Sequence, residues 1–209
     1  RDDKRILSLL DDLTIQKISI LEVDKNKLDQ LSNGETHQGV ISEIIMPTFP
    51  GEKILIESIK NSSKKPLVLI LDSIQDPRNL GACLRSANAA GVDFVIINKD
   101  GSAPINSLVY KASAGALNSL KIFLVTNIVR TIKAIQKEGL WVIGLDGNAT
   151  TSIYQVNLAD STAIVMGSEG KGIRQLIKKT CDQLVIIPMS GNCLLYTSPS
   201  PRDLSTSRM

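Results

Sequence analysis

Six short apolar runs divide the last two-thirds of the chain: Leu67 to Leu71, Phe94 to Ile97, Ile122 to Val125, Trp141 to Leu145, Ala163 to Met166 and Leu184 to Ile187. Near-continuous runs of this length, without polar alternation, predict strands buried on both faces, as in a parallel sheet. Between several of them apolar residues recur at helical steps. Ile128, Ile132 and Ile135 share one face behind Asn127, a good helix cap, and Gly139 stands just past the end. Asp76-Pro77 is a second start, a cap followed by the first helical position; Leu80, Leu84 and Ala87 form its apolar face and Gly91 terminates it. This alternation predicts an α/β class, a parallel sheet with helices on both sides.

The first 46 residues follow another pattern. Ile6, Leu9, Leu10 and Leu13 predict a helix over Asp3 to Leu13, and Lys25 to Leu31 predicts a shorter one, closed by the turn Ser32-Asn33-Gly34. Lys17 to Val23 alternates as a strand, and Val40 to Ile45 reads as another. Together they make a small α/β module that can bury little alone. Because the chain opens on Arg1, its first elements are expected to be missing. Pro47 to Pro66 reads as a connector carrying one helix, Glu52 to Ile59.

Composition narrows the class. Of the 209 residues, 43% are hydrophobic and 22% charged, as in ordinary soluble globular proteins. No apolar run approaches the roughly 20 residues of a membrane span, and no signal region opens the chain, so a cytoplasmic protein without a membrane partner is expected. A net charge of +3 and a pI near 8.7 suit a nucleic-acid partner without requiring one. Aromatics at 3% argue against a surface of base-stacking platforms, so any RNA is held by phosphate contacts and a local pocket. Cys83, Cys181 and Cys193 are odd in number and lack C-x-x-C spacing, which predicts neutral thiols rather than disulfides or zinc. His37 is the only histidine and falls in the small module, so no Ser-His-Asp or metal centre is expected in the large one. His37 itself reads as a turn residue in preference to an RNA-facing one.

Two stretches carry candidate chemistry. In Ile164 to Arg174 an apolar run breaks into Gly167, Gly170 and Gly172 around one carboxylate, Glu169, and then resumes as a basic segment. Glycines at this density let the backbone approach a ligand closely. Their spacing is G-x-x-G-x-G, neither a dinucleotide fingerprint nor a P-loop. Taken alone, the turn is equally a connection without a ligand. In Asp72 to Gly91, Arg78, Gly81, Arg85 and Asn88 follow at three- and four-residue steps. They form either an anion-facing surface or a solvated face with a close-packing glycine.

Taken together, Asp76-Pro-Arg-Asn-Leu-Gly-Ala with Arg85, Met166-Gly-Ser-Glu-Gly-Lys-Gly, and Ile187-Pro-Met-Ser-Gly resemble, in order and spacing, the three signature motifs of the SpoU branch of the SPOUT RNA methyltransferases. Residues 1–46, with His37-Gln-Gly-Val, resemble the ribosomal-protein-like substrate-binding domain of the rRNA guanosine-2'-O-methyltransferase subgroup. The resemblance covers residues 1 to about 192 and implies a small partial α/β RNA-binding domain (1–46), a linker (47–65) and a parallel-sheet SPOUT domain with a C-terminal trefoil knot (66–192).

By the same resemblance, the activity is S-adenosyl-L-methionine-dependent methyl transfer to a ribose 2'-hydroxyl of RNA, most simply a guanosine of large-subunit rRNA, in a homodimer. A tRNA-directed relative and a non-catalytic ribosome assembly factor are the alternatives. Asn79, Arg85 and Glu169 match the family's catalytic residues, and Gly167, Ile187 and Met189 its cofactor cradle; no metal is implied. A guanidinium normally stays protonated, so Arg85 is expected to hold the target phosphate and stabilise the developing alkoxide rather than act as base.

The end of the chain departs from the pattern. Where the family continues with Ser-Leu-Asn into a last helix, this sequence reads Asn192-Cys-Leu-Leu-Tyr-Thr-Ser-Pro-Ser-Pro-Arg-Asp. Pro199 and Pro201 forbid a regular helix interior. Cys193 to Asp203 resembles a translated sequencing adapter, and residues 193–209 are set aside as a non-native tail, which predicts a truncated domain with an incomplete cofactor pocket.

Overall fold

The computed structural model describes residues 4–34 and 36–188, in two compact units that divide between Met46 and Pro47. The first unit contains helix α1 (Lys4–Ile15) and helix α2 (Lys25–Leu31). Asp24 caps α2, its side chain accepting from the Lys27 amide at 2.7 Å. The stretches 17–23 and 40–45, expected as strands, form none, and Ile18, Ile20, Ile41 and Ile45 stay exposed. Alternation fits a residue to a pleated, half-buried surface but supplies neither a pairing edge nor an apolar cover, and α1 and α2, which bury no side chain, supply neither. His37 takes the turn role. Its Nδ1 accepts from the Gly39 amide at 3.0 Å, which leaves the proton on Nε2 to donate to Asp29 on α2 at 2.9 Å.

The second unit runs α3 (Glu52–Lys60), β1 (Leu67–Asp72), α4 (Pro77–Ala89), β2 (Phe94–Asn98), α5 (Ser107–Ser113), β3 (Lys121–Val125), α6 (Ile128–Lys137), β4 (Trp141–Leu145), β5 (Thr162–Gly167), α7 (Gln175–Lys178) and β6 (Gln183–Val185). Its six strands are all parallel, in the order β3-β2-β1-β5-β4-β6. The chain moves outward from β1 through β2 to β3, then crosses over to fill the other side. The strand order therefore reverses beside β1, where open α/β sheets form a crevice at their carboxyl ends.

Both faces of the sheet are covered, which is why its strands carry no polar alternation. On one face Val68, Ile70, Phe94 and Ile96 pack with Ile128, Ile132 and Ile135 of α6 and with Leu55 and Ile59 of α3. Residues 47–65, read as a connector, thus contribute a core helix. On the other face Leu69, Leu71, Val95 and Ile97 pack with Leu80 and Leu84 of α4 and Val109 of α5. A Cβ on Gly81 would stand 2.4 Å from Cβ of Ala112 and 3.0 Å from the Val109 carbonyl oxygen. Gly81 is therefore the close-packing glycine that admits α5 against α4. The last strand is shorter than its apolar run. Ile186 leaves the ladder with β4 and bridges Ser152 instead, its amide donating to the Thr151 carbonyl at 2.8 Å. The expected C-terminal trefoil knot involves residues beyond 188, which lie outside the described residues.

Candidate functional site

Asp76 and Pro77 set the first part of the site. The Asp76 carboxylate accepts from the Arg78 amide at 2.6 Å, starting α4 directly at the carboxyl end of β1 and putting Asn79 in its first turn. The second part is the loop after β5. The Gly172 amide donates to the Ser168 carbonyl at 2.8 Å and the Lys171 amide to that of Glu169 at 3.0 Å, closing a tight turn with Gly170 at φ +77° and Gly172 at φ +64°. Gly167 makes the turn possible from outside it: a Cβ there would lie 2.0 Å from the Gly172 carbonyl carbon. Within this turn Glu169 faces α4, and Asn79 Nδ2 donates to its Oε1 at 2.7 Å. Cys83, one helical turn beyond Asn79, shares this corner. Burial, and then the nearby Glu169 carboxylate, push its thiol up to about 11, so it is a neutral thiol.

A buried carboxylate fixes the loop's exit. Asp72, the last residue of β1, is wholly buried; its Oδ2 accepts from the Arg174 amide at 3.0 Å and its Oδ1 from Arg174 Nε at 2.8 Å. The Ser73 hydroxyl donates to the same Oδ1 at 3.1 Å, from a residue held at φ +61°.

A cavity of about 340 Å³ opens between the loops that follow β4, β5 and β6, lined among others by Gly147, Gly167, Gly170, Gly172 and Ile187. Ligand sites of doubly wound sheets have this placement, and the volume falls in their range. On its wall Lys178 Nζ donates to Asp146 Oδ2 at 2.7 Å, while the Asn148 amide donates to Oδ1 at 3.2 Å. The Lys178 hydrogen bond holds the Asp146 carboxyl below its ordinary range against the opposing effect of burial.

Of the residues singled out from sequence, Asn79 and Glu169 meet directly, and Gly167 and Ile187 line the cavity. Arg85 lies six residues beyond Asn79 on an exposed face of α4, about 240° around the helix axis. Among the described residues no hydrogen bond or ion pair joins it to Asn79 or Glu169. Met189 lies outside the described residues, as do the expected Ser-Leu-Asn segment and the tail 193–209. Sequence reasoning passed over Asp72, Arg174, Asp146 and Lys178. Asp72 had a visible signal, a carboxylate ending an otherwise apolar strand, but its partner lies 102 residues away.

Residues 66–194 match the SpoU rRNA methylase family, and residues 1–50 match the RNA 2'-O ribose methyltransferase substrate-binding family. The chain is 46% identical over 193 residues to the 23S rRNA (guanosine-2'-O-)-methyltransferase RlmB of Haemophilus ducreyi, covering 92% of this chain and 78% of that protein. It is 41% identical over 192 residues to the protein of the same name from Escherichia coli K12, covering 92% and 79%. The fold is shared with the SpoU methyltransferase AviRb of Streptomyces viridochromogenes, solved with AdoMet, at TM-score 0.61 and 22% identity over 87% of this chain and 75% of that one. With its first two motifs at the carboxyl ends of one parallel sheet and this similarity running along nearly its whole length, the chain belongs to the SpoU rRNA methylase family.

Proposed function

We propose that this chain transfers a methyl group from S-adenosyl-L-methionine to a ribose 2'-hydroxyl of RNA, with a guanosine of 23S ribosomal RNA as its target. The observation that carries the reading is the 2.7 Å pairing of Asn79 with Glu169 on the same glycine loop that lines the 340 Å³ cavity. The names of the similar proteins supply the choice of ribosomal over transfer RNA.

The cavity fits such a cofactor. Four of its lining residues are glycines, at 147, 167, 170 and 172, which let the backbone come close to a ligand, and Ile187 gives it an apolar side. When bound, S-adenosylmethionine supplies a methyl group on a sulfonium, an electrophile needing no metal. The chain's own residues do the rest. Asn79 orients the reacting groups without titrating, and Glu169 holds Asn79 in place and accepts hydrogen bonds at the mouth. Arg85 holds the phosphate next to the target ribose and stabilises the alkoxide that develops as the hydroxyl gives its proton to water. Gly167, Ile187 and Met189 form the cradle.

Residues 1–46 serve as the RNA substrate-binding module, 47–65 as the connection to it, 66–192 as the methyltransferase domain, and 193–209 as a non-native tail. The active species is a homodimer working in the cytoplasm; among the described residues no helix is long and apolar enough to cross a membrane. Two measurements test the reading: calorimetric titration with S-adenosylmethionine, and mapping of 2'-O-methyl sites in 23S rRNA with and without the gene. Binding together with the loss of one guanosine methylation is the expected result. Absence of binding by a chain carrying the family's Ser-Leu-Asn ending overturns the enzyme reading in favour of a non-catalytic RNA-binding factor.

A further inference from the structure

We infer that Asp72 is a positioning residue for Glu169: a buried carboxylate that clamps both ends of the glycine loop and so fixes where the loop presents its own carboxylate. The inference rests on the methyltransferase reading for its consequence, but its geometry stands by itself. The start of the loop is held in the sheet, since Asp72 and Gly167 are partners in the register of β1 with β5. The exit is held by the Asp72 side chain, through the Arg174 amide at 3.0 Å and the Arg174 Nε and Nη2 groups at 2.8 Å each. One residue therefore grips the loop before and after its six intervening positions, and the hydrogen bond from Asn79 then orients the Glu169 side chain.

The arrangement is specific to this corner. Asp72 is wholly buried at the carboxyl end of a strand next to the strand-order switch, the edge where a fixed carboxylate faces a site rather than solvent. A buried carboxylate must have partners, and those of Asp72 are drawn from the loop exit and from Ser73. Ser73 makes its contact at a positive φ that a serine rarely adopts. Strain held next to a site is a mark of positioning. Arg174 commits its guanidinium to this clamp although the side chain is 54% exposed, so it is not a free cation offered to RNA.

The test is amide hydrogen exchange on the full 209-residue chain and its variants Asp72→Asn, Arg174→Ala and Arg174→Lys. An asparagine cannot accept two Arg174 donors on one side and the Arg174 amide on the other with both its groups, because its NH2 only donates. Expected is exchange at the Lys171 and Gly172 amides faster by about tenfold or more in Asp72→Asn, with the β1 and β2 amides unchanged. Arg174→Ala keeps the backbone bond and gives a smaller rise; Arg174→Lys recovers part of it. In methylation assays on a chain that carries the family's Ser-Leu-Asn ending, the same series lowers kcat in the same order, and Asp72→Asn and Glu169→Gln combined cost no more than Glu169→Gln alone. If Gly172 exchange is unchanged in both Asp72→Asn and Arg174→Ala, or rises only in step with β1, the clamp is wrong and Asp72 is a general stability residue. Should Asp72→Asn not fold, Arg174→Ala decides alone. A clamp seen by exchange in a chain that carries the family's Ser-Leu-Asn ending and methylates no RNA would overturn the functional reading and leave the clamp standing.

Discussion

Asn79 Nδ2 donates to Glu169 Oε1 at 2.7 Å, joining the first turn of α4 to a loop 90 residues later. The pair separates charge from geometry in experiment. In Glu169→Gln the new amide oxygen would still accept from Asn79, so the substitution should shift the folding stability by only about 0.5 kcal/mol while lowering the methylation rate, if the carboxylate charge is used. Asn79→Ala removes the donor, costs about 1 kcal/mol of stability and lowers the rate as well. Chemical denaturation and single-turnover methylation measure the two effects; an unaltered rate in Glu169→Gln would confine Glu169 to a structural role.

Arg85 is predicted to act through its charge. Arg85→Lys should keep much of the methylation rate and Arg85→Ala lose it, with KM for RNA rising in the alanine variant. Equal loss in both would count against phosphate and alkoxide stabilisation and favour a role that only a guanidinium can fill.

The two packing glycines should respond differently from solvent-facing ones. Alanine is better than glycine in a helix by about 1 kcal/mol, yet at position 81 the added methyl would stand 2.4 Å from Ala112. Overpacking of about 1 to 3 kcal/mol outweighs the propensity gain, so Gly81→Ala should lower Tm. At Gly167 the obstacle is backbone, 2.0 Å away, which cannot rotate aside. Gly167→Ala is therefore expected to open the loop and abolish cofactor binding by calorimetry, even where the domain remains folded by circular dichroism.

Cys83 and Cys181 give an alkaline signature. Burial, reinforced by Glu169 for Cys83 and by Asp182 for Cys181, raises each thiol from 9.0 to about 11. Between those values the unfolded chain releases a proton that the folded chain retains, so their contribution is complete below the unfolded value and is lost as pH rises through the folded one. Urea midpoints should fall across this window, and Cys83→Ala should flatten the fall; a slope equal to wild type in that variant would exclude the thiol as its source.

Asp146 gives the opposite signature. Its folded pKa lies below the ordinary 3.8, chiefly through the Lys178 hydrogen bond. The stabilisation is present above the unfolded value and is lost as pH falls through the folded one. Both side chains are largely buried, at 13% and 16% exposure, so Lys178→Met strands a carboxylate and should cost about 1 to 3 kcal/mol near neutral pH. The double variant Asp146→Leu with Lys178→Met should recover part of that loss, which thermal denaturation would read directly.

Local sequence was enough to place the strands of the large unit and its two best helix starts, and it marked Glu169 as the carboxylate of the glycine turn; Asn79 came from the family resemblance. Strand runs depend on burial from both sides, and the caps at Asp76 and Asn127 on backbone donors two or three residues away. The resemblance of three motifs supplied the family. The remainder came from the packed fold, because local rules cannot hold it. Strand-like alternation near Ile18 and Val40 found no edge to pair with, and the helix expected within the connector packs into the core through Leu55 and Ile59. Gly81, read as part of a possible anion-facing surface, is a packing position because α5 crosses there. The reach of Asp72 to Arg174 was invisible for the same reason. A contact across 102 residues exists only once the strand order has set β1 beside β5, and that order is a property of the whole sheet rather than of either segment.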